Sequence, residues 1–82
     1  MRSLWDERKR RANLLKHGLD FAVLDAEFLA RAYIGPAKRD RLRAIGEVDG
    51  VVTVIFVKPG TEGLSIVSMR PASQKERKLL DA

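Results

Sequence analysis

Residues 64–77 read LSIVSMRPASQKER and combine the signals for a strand, a turn and the start of a helix. The alternation before Arg70 predicts a strand and places Arg70 on the same face as Ile66 and Ser68. Pro71 pushes Arg70 toward extended geometry and ends ladder hydrogen bonding on its own side. The strand therefore delivers a cation at its tip.

The helix start that follows is a capping box over residues 73–76, in which a hydroxyl and a carboxylate satisfy free backbone N–H groups. The predicted helix spans residues 74–81. The strand-to-helix junction is a candidate anion site with three charged side chains: Arg70, Glu76 and Arg77.

The composition fits a single domain over residues 1–82, because 45% hydrophobic and 33% charged residues are usual for a soluble globular domain. There is no cysteine and one histidine, so we expect no disulfide, no metal site and no cofactor. The longest apolar run, Val51–Val57, is too short to span a bilayer, and no signal-peptide pattern opens the chain. We therefore expect a cytoplasmic protein without membrane contact.

Charge is the most informative bulk property. A formal net charge of +5 and an isoelectric point of about 10.1 on so small a chain indicate a polyanionic partner. Nucleic acid and an acidic protein that covers the basic surface both fit. A basic protein without such a partner is the remaining alternative.

In the N-terminal third of the chain, the sequence predicts a short edge strand over residues 1–5 and then a helix. Asp6 is a suitable N-cap for a helix over residues 7–17, and Gly18 is suited to end it. His17 either pairs with free carbonyls in the last turn, which we prefer, or acts in catalysis. The basic surface of this helix is either solvated or contacts phosphates or a partner. Its predicted apolar stripe is thin and consists of Ala12, Leu15 and Leu19.

A second short helix is predicted after Asp20, which is its expected N-cap. Residues 29–35 then read as a strand that ends at the Gly35-Pro36 breaker. Tyr33 in this strand is either a packing residue or a group that contacts a base. The core residues of the second helix recur at helical spacing and are Phe21, Leu24 and Phe28.

Arginine occupies every second position from residue 39 to residue 43, which predicts three guanidinium groups on one face of a strand. Like charges at this spacing repel unless carboxylates or phosphates neutralise them, and guanidinium grips phosphate oxygens in pairs. Contact with RNA or a partner and pairing within the chain both remain open for Arg39, Arg41 and Arg43.

The remaining signals complete the fold prediction. Asp49-Gly50 is a strong hairpin signal, and it leads into Val51–Val57, whose β-branched content predicts a strand buried on both faces. A further turn is predicted at Pro59-Gly60. The order β-α-α-β-β-β-β-α predicts an α+β fold: a small antiparallel sheet of about four strands, with two N-terminal helices and one C-terminal helix.

Motifs spread over nearly the whole chain resemble those of one family. The motif residues are Trp5-Asp6-Glu7, Asn13, Lys16-His17-Gly18, Phe21, Arg41, Ala44-Ile45-Gly46, residues 66–73 and Glu76-Arg77. Together they resemble the BrnT-type toxins of type II toxin–antitoxin systems. The closing S-x-R-x-A-(S/T)-x-x-E-R pattern is the most specific part of the resemblance.

The resemblance implies a RelE-like ribonuclease fold and a toxin that inhibits translation by cleaving RNA. It also implies neutralisation by a BrnA-type antitoxin, a ribbon-helix-helix protein through which the complex binds operator DNA and represses its own operon. The chain itself would reach operator DNA only through that antitoxin.

Metal-independent RNA cleavage needs a base for the 2′-hydroxyl, cations for the phosphorane-like transition state and an acid for the leaving oxygen. Arg70 is the best candidate for the phosphate clamp, with Arg41 or Arg43 opposite it. Glu76 is a candidate base, or else only the far end of the capping box, which we prefer. The residues expected to bind RNA phosphates are Arg39, Arg43, Arg77 and Lys75.

Two other functions fit the sequence less well. One is a non-catalytic interaction subunit that binds the antitoxin and takes part in operator repression. The other is a stand-alone nucleic-acid-binding domain, which is disfavoured because no stacking aromatics interleave with the arginines and no helix-turn-helix turn is evident.

Overall fold

The structure, a computed structural model, describes residues 3–58 and 63–81. The elements follow the predicted order. They are β1 (Ser3–Trp5), α1 (Glu7–His17), a 3₁₀ turn (Phe21–Val23), α2 (Ala26–Arg31), β2 (Tyr33–Pro36), β3 (Leu42–Glu47), β4 (Val51–Val57), β5 (Leu64–Pro71) and α3 (Gln74–Asp81).

The five strands form one sheet in the order β1-β5-β4-β3-β2. The pairs β2–β3, β3–β4 and β4–β5 are antiparallel, whereas β1 pairs parallel with β5, so the sheet is mixed. The predicted α+β class is confirmed, and the antiparallel part has the four strands expected. The turn predicted at Pro59-Gly60 lies outside the described residues.

Local capping signals set the ends of α1 as predicted. The Asp6 carboxylate accepts a hydrogen bond of 2.8 Å from the Arg8 N–H, and Gly18 ends the helix in the left-handed conformation at φ 69°. The predicted apolar stripe is wrong, because Leu15 is 90% exposed and the buried residue of the helix is Asn13. Helix α1 therefore contacts β5 through a polar side chain.

The second predicted helix is divided in two. Asp20 caps only the 3₁₀ turn, and the chain then becomes extended at Leu24. Asp25 caps α2 separately by accepting a 2.8 Å hydrogen bond from the Phe28 N–H. Because α2 continues to Arg31, the strand predicted over residues 29–35 begins only at Tyr33.

The alternating arginines do not share a strand. Arg39 and Asp40 have positive φ angles of 61° and 59°, and the Ala37 N–H donates to the Arg41 carbonyl at 2.8 Å. These residues therefore form the β2–β3 turn, and of the three arginines only Arg43 lies in β3. A tight turn between antiparallel strands takes precedence here over the two-residue period.

One face of the sheet carries the apolar core. Ala44, Val54 and Met69 are in register across β3, β4 and β5, and all three are buried. Phe28 closes over this face next to Gly46, where a β-carbon would lie 2.7 Å from the phenyl ring. Glycine is therefore the residue that lets α2 approach the sheet so closely.

The opposite face of the sheet is covered by α3 and positions the site. Ile45, Thr53 and Arg70 are in register on this face. A register shift in β5 pairs Ile55 with Ser68 but Phe56 with Ile66, so one extra residue lies between them. Arg70 therefore shares a face with Ser68, as predicted, but not with Ile66.

Candidate active site

The capping box at the start of α3 is formed as predicted. The Ser73 N–H donates to Glu76 Oε1 at 2.9 Å, and the Glu76 N–H donates to Ser73 Oγ at 3.2 Å. The Glu76 residue is only 3% exposed. Its carboxylate is thus held under α3 and against the sheet.

Two arginines pair with this one carboxylate. Arg70 donates from Nη1 to Oε1 at 2.6 Å and from Nη2 to Oε2 at 2.9 Å, a bidentate geometry. Arg43 donates from Nη1 to Oε2 at 3.0 Å. The cluster of Arg43, Arg70 and Glu76 therefore carries one surplus positive charge, and the intramolecular pairing left open for Arg43 is present.

These contacts fix the protonation of the cluster. The hydrogen bonds from Arg70, with a further one from the Ser73 N–H, lower the pKa of Glu76 from 4.5 to about 2 despite burial. The same pairing raises the pKa of Arg70. The buried Thr53 hydroxyl is a smaller cause of the lowered pKa of Glu76. Among the described residues, Thr53 Oγ1 makes no hydrogen bond that meets the usual distance and angle limits.

A groove of about 420 Å³ opens beside the cluster at the β2–β3 turn, and we call it the turn groove. It brings together four of the five arginines predicted to act on RNA, even though they do not share a strand. Its lining includes Lys38, Arg39, Arg41, Arg43, Ile55 and Arg70.

A second groove of about 350 Å³ lies between α1 and β5, and we call it the helix groove. It presents basic side chains from both elements, and Arg70 is again part of the lining. Its lining includes Lys9, Asn13, Lys16, His17, Ser68 and Arg70. Arg70 thus stands between two basic grooves.

Asn13 joins α1 to β5 at this point, a function that its local sequence does not predict. Its Oδ1 accepts a 3.0 Å hydrogen bond from the Met69 N–H, and its Nδ2 donates to the Leu19 carbonyl at 3.2 Å. Strand β1 pairs with β5 only at residues 64–66. Farther along β5, the Asn13 side chain accepts the backbone hydrogen bond that a longer β1 would have accepted. The sequence signals were a polar residue one helical turn before His17 and its place among the motif residues of the family resemblance.

The remaining predicted residues lie elsewhere. Lys75 and Arg77 are exposed on α3 and line neither groove. A larger groove of about 520 Å³ near α2 is lined by three carboxylates and one arginine, which suits a polyanion poorly: Asp25, Glu27, Glu47 and Arg31. The two smaller basic grooves are therefore the better candidates.

Over residues 3–58 and 63–81, no group of three or more His, Cys, Asp or Glu side chains is arranged to hold a metal ion. In the same part of the chain, no helix is long and apolar enough to cross a membrane.

Comparison with known proteins identifies the family. Residues 5–76 match the family described as ribonuclease toxin, BrnT, of type II toxin-antitoxin system. The fold is similar to the 1.1 Å crystal structure of the Brucella abortus ribonuclease toxin BrnT, with a TM-score of 0.82 and 51% sequence identity, covering 90% of this chain and 100% of that chain. No curated protein sequence gives a significant match.

The chain therefore belongs to the BrnT family of ribonuclease toxins, which act in type II toxin–antitoxin systems. The predicted family and function are confirmed, and the family implies an antitoxin partner. The RelE-like description of the fold stays a prediction.

Proposed function

We propose that the chain is a metal-independent endoribonuclease that binds the scissile phosphate of RNA at Arg70. The observation that carries this proposal is that Arg70 lines both basic grooves. A strand that occupies both grooves continues on either side of Arg70, which suits cleavage within a chain rather than at its end.

Arg70 retains donors for such a phosphate. A guanidinium has five N–H donors; Glu76 engages two of them and the Pro71 carbonyl a third, at 3.3 Å. Two donors therefore remain. In the transition state, where negative charge develops on the phosphate oxygens, the surplus charge of the cluster is stabilising.

The other arginines have graded functions in this proposal. Arg41 and Arg43 face the phosphate from the turn groove, and Arg39 binds a neighbouring phosphate. Lys75 and Arg77, exposed on α3, attract RNA from a greater distance. Glu76, which is buried and has a pKa of about 2, is a poor proton acceptor, and we assign it the positioning of Arg70 and Arg43.

The cleavage chemistry that these cations support uses the 2′-hydroxyl next to the scissile phosphate as nucleophile. Guanidinium groups supply the charge stabilisation that a bound metal ion supplies in other nucleases. We accordingly expect purified protein to cleave RNA at an undiminished rate in excess EDTA. A substrate with 2′-deoxy sugars throughout should bind and stay intact, and cleavage of that substrate would overturn the proposed chemistry.

The test in cells is inducible expression without antitoxin, with growth and transcript integrity followed together. Growth arrest with fragmented transcripts is the expected result. Soluble, folded protein that accumulates while growth and transcripts are unaffected would contradict the ribonuclease proposal.

We further propose that the antitoxin is BrnA-type, with a ribbon-helix-helix domain, and that the complex represses its operon by binding operator DNA in the cytoplasm. The net charge of +5 supports an antitoxin whose toxin-binding segment is acidic. Coexpression with the neighbouring antitoxin gene should give a complex that shifts operator DNA, whereas the toxin alone should not. An operator shift by the toxin alone would contradict this assignment.

A further inference from the structure

His17 is the imidazole among the ionisable side chains of the helix groove, which also include Lys9, Lys16 and Arg70. It lies in the last turn of α1 and is half-buried. The imidazole takes part in no side-chain hydrogen bond or ion pair with the residues of 3–58 and 63–81. It lines the same groove as Arg70, so it stands on a surface that the proposed substrate occupies.

The Asn13 side chain links the helix that carries His17 to the strand that carries Arg70. Asn13 lies one helical turn before His17, so the two residues share a face of α1. Its Oδ1 accepts from the N–H of Met69, the residue directly before Arg70. Gly18 ends the helix immediately after His17, with its N–H donating to the Leu14 carbonyl at 2.8 Å. The imidazole of His17 and the guanidinium of Arg70 therefore belong to two elements that the Asn13 hydrogen bond holds together.

Among residues 3–58 and 63–81, the linings of the two basic grooves contain one imidazole, that of His17. Within the described residues, no carboxylate lines either basic groove. Glu76 is buried behind Arg70, and its proton affinity is low. Lysine and arginine are protonated near neutral pH, whereas an imidazole exchanges protons there.

We infer that His17 is the general base of RNA cleavage, a catalytic function that rests on the proposed ribonuclease activity. The imidazole removes the proton of the 2′-hydroxyl as O2′ forms a bond to phosphorus. The bond from phosphorus to O5′ breaks, and O5′ takes a proton from water. The products are a 2′,3′-cyclic phosphate and a 5′-hydroxyl, and His17 returns its proton to solvent, so that no proton is gained or lost overall.

The test measures cleavage of a randomised single-stranded RNA pool, with and without added ribosomes, by wild-type protein, His17→Gln and the control Leu15→Gln. Leu15 is 90% exposed on the same helix, so its substitution changes the helix surface outside both grooves. We expect kcat of His17→Gln to fall by roughly 100- to 10,000-fold, with KM changed less than about threefold. Leu15→Gln should match wild type.

The pH profile separates catalysis from a structural function. The wild-type rate should rise across the titration range of an imidazole, and that rise should be absent in His17→Gln. Added imidazole should restore activity to His17→Ala, and thermal unfolding and binding of 2′-deoxy substrate verify that both variants are folded.

The outcomes distinguish this inference from the proposal on which it rests. Wild-type protein that cleaves no RNA overturns both. Cleavage by His17→Gln at the wild-type rate and with the wild-type pH profile overturns the assignment of the base and leaves the ribonuclease proposal intact. Loss of activity explained by weaker substrate binding or by unfolding, without rescue by imidazole, also overturns it.

Discussion

The molecule contains two arginine–carboxylate clusters of different composition. In the N-terminal cluster, one arginine, Arg10, is held by two carboxylates: Glu7 at 2.8 and 3.1 Å and Asp20 at 3.0 and 3.1 Å. In the site cluster, one carboxylate, Glu76, is held by two arginines. Glu7 also lies 3.7 Å from Arg11 Nε, so the N-terminal cluster has as many cations as anions, whereas the site cluster carries a surplus positive charge.

The difference separates a structural ion pair from one that can act on a ligand. Arg10 ties α1 to the cap of the 3₁₀ turn and has its charge more than neutralised. The Glu7 side chain is 54% exposed, so solvent screens this pairing. In the site cluster, by contrast, the Glu76 carboxylate is buried, Arg43 lines the turn groove and Arg70 lines both grooves. The surplus positive charge of the site cluster and the burial of its carboxylate therefore distinguish it from the N-terminal cluster.

The largest expected effect is on cleavage by Arg70→Gln. This change removes the charge between the grooves, and RNA cleavage per folded molecule should fall by roughly 100- to 1,000-fold. Initial rates on RNA, with antitoxin binding as the check on folding, measure it. The matched control is Arg11→Gln, which removes an equal charge from a side chain that is 76% exposed and should retain cleavage. Equal losses in the two variants would show that only total charge matters.

A second test removes the minority ion of the site cluster. Glu76→Gln leaves two arginines facing each other without an anion and weakens the cap of α3, so the free energy of unfolding should fall by about 3 kcal/mol. Urea denaturation of this variant beside Lys75→Gln, an exposed neighbour on α3, gives the comparison. Near-equal stability of the two variants would mean that the buried pairing adds little.

Acid should reveal the same pairing in the wild-type protein. Because the pKa of Glu76 is lowered from 4.5 to about 2, its contribution is complete above pH 4.5 and is lost as the pH falls toward 2. The loss should amount to about 3 kcal/mol. The pKa of Glu7 is also lowered to about 2, first by its hydrogen bond from Arg10, but that group is screened by solvent. Stability measured from pH 6 to pH 2 should therefore fall less steeply in Glu76→Gln than in Glu7→Gln.

The smallest effect is expected at the N-terminal cluster. Arg10→Gln should lower the thermal midpoint modestly, because it releases Glu7 and Asp20, and should leave the cleavage rate of folded protein unchanged because Arg10 lines neither groove. A calorimetric scan and a cleavage assay on the same preparation test this. Reduced cleavage without reduced stability would extend the site to the N-terminal cluster.

Elements defined by short-range signals could be predicted closely. Asp6 and Gly18 bound α1, and the capping box of Ser73 and Glu76 starts α3 at the predicted residue. The Asp49-Gly50 hairpin joins β3 to β4 as predicted. Each of these signals is complete within a few residues, so the local sequence contains the whole physical cause.

Features that depend on distant partners could not be predicted in this way. The extra residue in β5 turns Arg70 away from Ile66, and its position is set by pairing with β4. The pairing of Arg43 with Glu76 joins residues 33 positions apart, and that of Asn13 with Met69 joins residues 56 apart. Most residues of the candidate site could therefore be predicted from the sequence, but neither the two grooves nor the link that Asn13 makes between α1 and β5 could be.

The position of Glu76 has a genetic consequence. The Glu76 carboxylate caps α3 and is the counter-ion that holds the guanidinium groups of Arg43 and Arg70, so substitution there should remove the protein from the cell as well as its activity. Substitution of Arg70 should remove toxicity alone. Among survivors of a selection against toxin expression, Arg70 alleles should still titrate antitoxin and alter operon control, whereas Glu76 alleles should behave as deletions.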